Sequence, residues 1–92
     1  MQSKNKPSPT VSERRHIEKI AAMDCCVCSC AGPSEVHEIE QGQWFTSLPL
    51  CPTCHRHPVY GWHGQKANWR SVKLNEIGAL AVTIRRLMES TP

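Results

Sequence analysis

The sequence predicts an α+β fold, a small zinc-stapled hairpin and helix core with flanking N-terminal and C-terminal helices. Three observations predict it. Two CxxC pairs, Cys25/Cys28 and Cys51/Cys54, enclose a short strand-like segment, amphipathic stretches lie outside them, and the chain has only 92 residues. A chain of this size buries only about 60–65% of its unfolded surface, so its core needs a staple. Only five residues are aromatic, which thins the core further.

The N-terminal part of the chain predicts a tail and then a helix. Residues 1–9 are polar, with two lysines and two prolines, which is typical of a disordered basic tail. A single domain is expected over residues 10–90. Thr10 and Glu13 have capping-box spacing, so the first helix is expected to span residues 11–23.

A hairpin and two further helices are expected after the first cysteine pair. Short strands are predicted over residues 36–39 and over 44–48, the second ending at Pro49. Pro52 suits the first turn of a short helix that begins in the second cysteine pair. An apolar stripe predicts the final helix and is expected to pack on the first helix, with dimer contact as the alternative. The stripe comprises Leu74, Ile77, Ala81, Ile84 and Met88, widened by Leu80 and Leu87.

Zinc is the staple that the cysteine spacing predicts. Zinc takes four tetrahedral thiolate or imidazole ligands, and two CxxC pairs about 15–25 residues apart supply them. Here 22 residues separate Cys28 from Cys51. In the first cluster only Cys25/Cys28 has the usual two-residue gap, which leaves Cys26 and Cys30 as spare thiols. Four cysteinates fill the coordination sphere, so this zinc is expected to be structural.

The N-terminal segment and the cysteine arrangement predict a compartment in which thiols stay reduced. The segment MQSKNKPSPT lacks the apolar core of a secretory signal. No apolar run approaches the ~20 residues of a membrane span. The CxxC pairs also favour a metal site over a disulfide framework. We therefore expect a cytoplasmic protein with no membrane segment.

One long segment carries charge of a single sign. The formal net charge is +3, and no Asp or Glu occurs between residues 41 and 75. A positive surface of this kind attracts anions, nucleic acid first among them. A solvated basic face without a partner is the alternative reading. The basic residues of this segment are Arg56, Lys66, Arg70 and Lys73.

Two histidines are expected to share one face of the hairpin and helix, and a third histidine follows them in the chain. His37 lies on the first predicted strand, His55 directly follows the second cysteine pair, and His63 lies in a glycine-flanked loop. Around these residues the sequence resembles the HNH (ββα-metal) nuclease superfamily, most of all the small phage-associated branch that includes the RecA-dependent nuclease Ref. The resemblance covers about residues 16–88. Its motifs are the first CxxC, VHxI around His37, LPLCPTCHR over 48–56 and GWHG over 61–64.

The resemblance implies an HNH-like ββα-metal core and a metal-dependent DNA endonuclease or nicking activity that hydrolyses phosphodiester bonds. It implies that His37, His55 and His63 hold a catalytic divalent metal (Mg²⁺, Mn²⁺, Ni²⁺ or Zn²⁺) in addition to the structural Zn²⁺. Such an ion polarises the scissile phosphate while an imidazole base deprotonates the attacking water. The implied setting is a bacterial or phage-infected host cytosol, with DNA and a recombination protein as partners and a monomer or homodimer as the assembly. The residues then expected to contact DNA are Arg56, Lys66, Arg70 and Lys73.

Two departures from the family pattern keep alternatives open. The first strand carries His37-Glu38 where many relatives have HH, DH or EH, so His37 is either a ligand, with Glu38 as the catalytic base, or the base itself. The Asn common before the second CxxC is absent. A non-catalytic nucleic-acid-binding zinc domain on a decayed HNH scaffold is therefore the second hypothesis, and a protein-interaction zinc domain is the third. His57, two residues from His55, is an alternative metal ligand.

Overall fold

The computed structural model describes residues 8–90, so most of the predicted basic tail lies outside the described residues. Within them, one α-helix precedes the two strands and three α-helices follow them. The predicted α+β class is confirmed in its coarse form, because the two strands form an antiparallel sheet surrounded by helices. The elements are α1 Val11–Ala22, β1 Glu35–Glu38, β2 Ser47–Leu50, α2 Pro52–Arg56, α3 Ala67–Ser71 and α4 Glu76–Ser90.

Helix α1 begins with the capping box that the sequence predicts. The Thr10 hydroxyl accepts a hydrogen bond from the Glu13 N–H at 3.2 Å, and the Glu13 carboxylate accepts one from the Thr10 N–H at 2.8 Å. These bonds satisfy amide groups that a helix N-terminus otherwise leaves unpaired. The helix ends at Ala22 and buries Ile20 completely. Its apolar face therefore lies on the core.

The second strand differs from its predicted position. Residues 44–46 form a 3-10 turn instead of a strand, and the strand runs through Pro49 to Leu50, which pairs with Glu35. Proline removes an amide donor, but each strand of a two-stranded sheet has one edge where no donor is needed. The Pro49 carbonyl accepts a hydrogen bond from the Cys26 N–H at 2.9 Å. This bond joins β2 to the first cysteine loop.

Strand β2 lies at the centre of the molecule, and all four of its residues are buried. Helices α1 and α4 both pack against it. Trp69 of α3 completes the core, and its indole N–H donates to the Cys54 carbonyl at 2.8 Å. The core is built around the cysteine loops, because its buried residues include Cys25, Cys26, Cys51 and Cys54. Within the described part of the chain, every helix is too short or too polar to span a membrane.

Helix α4 packs through a different face from the predicted one. Ile77, Ile84 and Met88, expected in the core, are 68%, 46% and 73% exposed, whereas Ala79 and Thr83 are buried. The small Ala79 side chain allows a close approach to the core. The Thr83 hydroxyl donates to the Ala79 carbonyl at 2.9 Å, so its burial leaves no polar atom unpaired. The predicted packing of the apolar stripe on the first helix is therefore wrong for Ile77, Ala81, Ile84 and Met88, which face outward. Leu74 and Leu80, two other residues of the stripe, pack against the core.

Candidate metal centres

The four predicted cysteine ligands come together where the two cysteine loops meet. The sulfur atoms of Cys25, Cys28, Cys51 and Cys54 all lie within 4.8 Å of one another. Those of Cys28 and Cys51 are 3.7 Å apart, close to the ~3.8 Å edge of a tetrahedron with metal–sulfur bonds of ~2.3 Å. This four-cysteine group could therefore hold a structural metal such as zinc, as the CxxC spacing predicts.

Local hydrogen bonds shape both cysteine loops around this group. The Cys25 carbonyl accepts a bond from the Ser29 N–H at 2.9 Å, and Ser29 adopts a left-handed φ of 65° that closes the turn. Cys51 is the N-cap of α2, and its sulfur accepts a bond from the Cys54 N–H at 3.3 Å. The Asn68 amide donates to the Cys54 sulfur at 3.5 Å. Donors directed at sulfur stabilise the thiolate form that a metal requires.

The other two cysteines lie outside the four-sulfur group, as expected for spare thiols. Cys26 is only 2% exposed. Burial raises the pKa of Cys26 to about 11, so this thiol stays protonated and packs as a small apolar residue. Cys30, in contrast, is exposed, and its thiol is in hydrogen-bond contact with the Cys28 and Cys51 sulfurs at the edge of the group.

A second cluster joins His37 of β1, His55 of α2 and His63 of the loop after α2. Their ligand nitrogens lie within 4.8 Å of one another, and the ring centroids are 4.9 to 5.1 Å apart. His37 is buried, His55 is half-buried and His63 is exposed. The predicted meeting of the three histidines is thus found, and the cluster opens to solvent on the His63 side.

Two carboxylates hold the outer nitrogens of this histidine cluster. His37 Nε2 is 2.6 Å from Oε2 of Glu76, the first residue of α4, and His55 Nδ1 is 2.8 Å from Oε1 of Glu35 on β1. An ionised carboxylate accepts hydrogen bonds and cannot donate them, so each contact assigns the ring proton to that outer nitrogen. Metal-binding histidines commonly donate their second ring N–H to a carboxylate in this way.

The inner nitrogens then both carry lone pairs. His37 Nδ1 and His55 Nε2 are 3.2 Å apart, and two lone pairs at this distance need a cation between them. A shared proton would satisfy two nitrogens, but His63 brings a third imidazole to the same point. Tetrahedral ligands with metal–nitrogen bonds of ~2.0–2.1 Å lie about 3.3–3.4 Å apart, close to the observed spacing. The donor set and its geometry therefore fit a metal ion.

The Glu35 carboxylate is also held by Arg56. The Arg56 Nε donates to Glu35 Oε1 at 2.9 Å, and its Nη2 donates to Oε2. The Arg56 guanidinium and, less strongly, the bond from His55 lower the pKa of Glu35 to about 2. Glu35 is therefore ionised near neutral pH, and it accepts the hydrogen bond from His55 there.

The loop after α2 brings His63 to the cluster. The His63 N–H donates to the His55 carbonyl at 3.1 Å, which fastens the loop to the helix. Both glycines of the GWHG motif lie against the backbone at the end of α2. A β-carbon on Gly61 would be 2.8 Å from the His55 carbonyl carbon, and one on Gly64 would overlap the Pro58 carbonyl. Only residues without a side chain allow this close approach.

Sequence reasoning missed Glu35 and Glu76. Glu35 could have been found, because it lies two residues before His37 and alternate residues of a strand share a face. Glu76 could not have been found, because it is 39 positions from His37 and their contact depends on where α4 docks.

Two of the predicted site residues lie outside the histidine cluster. Glu38 follows His37 on β1, so it points to the opposite face of the strand, and its carboxylate accepts a bond from the Gly42 N–H at 2.7 Å. His57, the alternative ligand, accepts a bond from the Val59 N–H at 3.1 Å. Among the described residues, the cluster of possible metal ligands therefore contains neither Glu38 nor His57.

The basic residues surround the loop after α2 and helix α3. The Lys66 ammonium lies over the Trp62 ring, 4.8 Å from its centroid. Arg70 and Lys73 are exposed. Arg56 is also largely exposed but is paired with Glu35, so part of its charge is compensated. The positive surface is thus centred on α3 more than on the histidine cluster itself.

Comparison with known proteins adds no relative to this description. No protein-family model, curated protein or solved structure matches the chain.

Proposed function

We propose that the chain is a metal-dependent DNA endonuclease or nicking enzyme of HNH type. In this proposal the four-cysteine group is the structural zinc site, and the histidine cluster holds a second divalent metal. The observation that carries it is the pair of facing nitrogens, His37 Nδ1 and His55 Nε2, 3.2 Å apart beside His63. Three imidazoles leave a coordination position open, as catalytic sites do and closed structural sites do not.

The residues of the cluster have separate tasks in this proposal. A divalent ion held by His37, His55 and His63 would act as a Lewis acid on the scissile phosphate and its leaving oxygen. Glu76 and Glu35 fix the rings of His37 and His55 through their outer nitrogens. Because both nitrogens of His37 are engaged, its geometry supports the ligand role over the base role.

The proposed base is Glu38, the residue adjacent to His37 on β1. A carboxylate beside a metal ligand on the same strand can accept a proton from an attacking water. In the structure the Glu38 carboxylate accepts the Gly42 N–H in the hairpin turn. Because Glu38 points to the opposite face of β1 from His37, acting as the base would require it to break this hydrogen bond and the strand to turn locally at Glu38.

Phosphate contacts come from the basic residues in this proposal. Lys66 rests on the Trp62 ring, and Arg70 and Lys73 are exposed beside it on and after α3. Arg56 can meet a phosphate while it holds Glu35, because its side chain is 64% exposed. Binding through such contacts weakens as salt concentration rises. A recombination protein as partner belongs to the same proposal and rests on the sequence resemblance.

The second candidate is a non-catalytic nucleic-acid-binding zinc domain on an HNH-like scaffold. The specific observation that favours it is the engagement of Glu38 in the hairpin turn, away from the histidines. Under this reading the basic residues bind DNA, and the histidine cluster serves only to fix β1, α2 and the loop together.

The test is a nicking assay on supercoiled plasmid with the zinc-loaded chain and added Mg²⁺, Mn²⁺, Ni²⁺ or Zn²⁺. We expect nicked circles with at least one of these metals. His55→Ala should abolish nicking, whereas the control His16→Ala, a histidine on α1 outside the cluster, should retain it. Glu38→Gln should abolish nicking while leaving binding of the second metal intact. Circular dichroism and zinc content establish that each variant is folded.

Two outcomes would contradict the endonuclease. One is a folded, zinc-containing chain that binds DNA in a salt-sensitive way and nicks with none of the metals, which supports the second candidate. The other is unchanged nicking by a folded His55→Ala variant, which would exclude the histidine cluster as the reaction site.

A further inference from the structure

Helix α4 is apolar on two opposite faces. One face, which includes Ala79 and Thr83, is buried against the rest of the chain. The opposite face carries Ile77, Ile84 and Met88, with exposed fractions of 68%, 46% and 73%. A surface helix normally presents polar residues to solvent, and a helix that is apolar all round is normally covered all round. The outer face of α4 therefore lacks the polar surface that solvent exposure calls for.

The exposed apolar residues follow the spacing of a coiled-coil seam. Ile77, Ala81, Ile84 and Met88 succeed one another at intervals of four, three and four residues. These intervals are those of the two core positions of a heptad repeat. At about 100° per residue the four side chains fall within a sector of about 60°. They form one straight stripe, which we call the α4 seam.

We propose that the α4 seam binds the same seam of a second copy of this chain, helix against helix and antiparallel about a two-fold axis. The seam is complementary to itself when it is reversed. Ile77 then meets Met88 of the second copy, and Ala81 meets Ile84 of the second copy. Each of these pairs includes at least one large apolar side chain, so the space between the helices is filled. A parallel pair would instead place Ala81 against its own copy and leave a void, which close-packed interfaces avoid.

The flanks of the α4 seam allow this antiparallel arrangement. On one side, the half-buried Leu80 of each copy faces Leu87 of the other, which widens the apolar contact. On the other side, Gly78 lies opposite Arg85 of the second copy, and glycine leaves room for the long side chain. No two like charges meet across the seam in this register, so electrostatic repulsion does not oppose it.

The area available predicts a reversible dimer. The exposed fractions of Ile77, Ile84 and Met88 correspond to roughly 350 Å² of apolar surface, within the range of patches that mark interaction sites. With the flanking residues, pairing two copies would bury on the order of 800–1,000 Å² in total. That area is at the low end for a specific interface, so the fraction of dimer is expected to depend on the concentration of the chain.

Sedimentation equilibrium of the zinc-loaded full chain, from low micromolar to near-millimolar concentration, tests the dimer. We expect a monomer–dimer equilibrium. Ile84→Glu should raise the dissociation constant by at least about tenfold, because it buries an unpaired charge at the centre of the seam. Val11→Glu is the matched control, since Val11 is an apolar residue of α1 that is 57% exposed, and it should leave the constant unchanged.

A charge-swap variant tests the orientation. Ile77→Lys alone and Met88→Glu alone should each weaken the dimer. The double variant should dimerise again at low salt, because antiparallel pairing sets each introduced lysine beside the introduced glutamate of the other copy. In a parallel pair the lysines would meet each other, as would the glutamates, and the double variant would be the weakest of the three.

Three results would overturn the inference. A folded chain that is monomeric at every concentration would show that the α4 seam does not bind a second copy. A dimer that Ile84→Glu does not weaken would place self-association elsewhere on the molecule. Loss of dimer in both single variants without recovery in the double variant would exclude the antiparallel register. None of these measurements depends on a metal at the histidine cluster or on nicking activity.

Discussion

Two variants weaken the contact between Glu76 and His37 to different degrees. Glu76→Gln keeps the length of the side chain and an oxygen that accepts a hydrogen bond, but it removes the negative charge. Glu76→Ala removes both the charge and the acceptor. If the carboxylate orients His37 for a metal, the two variants should weaken metal binding at the histidine cluster by different amounts.

The size of the effect follows from the geometry of the contact. His37 Nε2 and Glu76 Oε2 are 2.6 Å apart, and the two side chains are 6% and 22% exposed. A charge-assisted hydrogen bond with this shielding contributes about 1.5–3 kcal/mol. That free energy corresponds to about a 10- to 100-fold change in metal affinity, the loss typical when the partner of a metal-binding histidine is removed. We expect Glu76→Gln near the lower value and Glu76→Ala near the upper one.

The assay is calorimetric titration of Co²⁺ or Ni²⁺ into a chain whose four-cysteine group is already loaded with zinc. Glu89→Gln is the matched control, because Glu89 lies on the exposed side of the same helix, and its affinity should equal that of the wild type. If Glu76→Ala binds the second metal as tightly as the wild type, the carboxylate does not orient His37. If the wild type takes up no second equivalent, the histidine cluster is not a metal site.

The four-cysteine group, the glycine loop and the buried indole give three more predictions. Removal of the metal at the four-cysteine group by a chelator should unfold the chain. Binding of structural zinc contributes about 10–16 kcal/mol in small domains, and the whole stability of a domain is about 5–15 kcal/mol. An unchanged circular dichroism spectrum after metal loss would contradict this prediction. Gly64→Ala should abolish uptake of the second metal and spare the first, since a β-carbon there overlaps the Pro58 carbonyl. The control Gly78→Ala should keep both metals, because a β-carbon there meets only side-chain atoms, Leu74 Cδ2 at 3.1 Å being the nearest. The same titration measures both variants, and equal affinities for the second metal would contradict this prediction. Trp69→Ala should lower the free energy of unfolding of the zinc-loaded chain by about 3–5 kcal/mol. The reason is that the side chain is 1% exposed and its indole N–H donates a hydrogen bond to the Cys54 carbonyl. Denaturant titration measures the loss, and a value under about 1 kcal/mol would contradict the prediction.

The four-cysteine group could be predicted because its geometry is local. A CxxC loop returns its second sulfur toward the first whatever surrounds it, so spacing alone identifies the two cysteine pairs that form the group. The capping box at Thr10 and Glu13 was predictable for the same reason, since both bonds lie within one turn. The meeting of His37 with His55 needed only the further assumption that the hairpin packs on the helix after it.

The features that sequence reasoning missed depend on docking. An apolar stripe on α4 indicates that a face is to be covered, but it does not identify what covers it. The chain instead packs α4 through Ala79 and Thr83, small residues whose burial is satisfied by close approach and one local hydrogen bond. The contact of Glu76 with His37 follows from that docking, so no local pattern could indicate it. The prediction that β2 ends at Pro49 was wrong for a different reason, because proline interrupts a central strand but is tolerated in an edge strand.

Helix α4 touches both clusters. Glu76 in its first turn bonds to His37, and Arg86, ten residues later, donates to the Cys25 carbonyl at 3.3 Å and to the Ser29 hydroxyl at 3.1 Å. At 1.5 Å rise per residue these two points are about 15 Å apart along a stiff rod. The helix thus acts as a fixed spacer between the four-cysteine group and the histidine cluster. A shift of either cluster along the helix axis would therefore break one of these bonds.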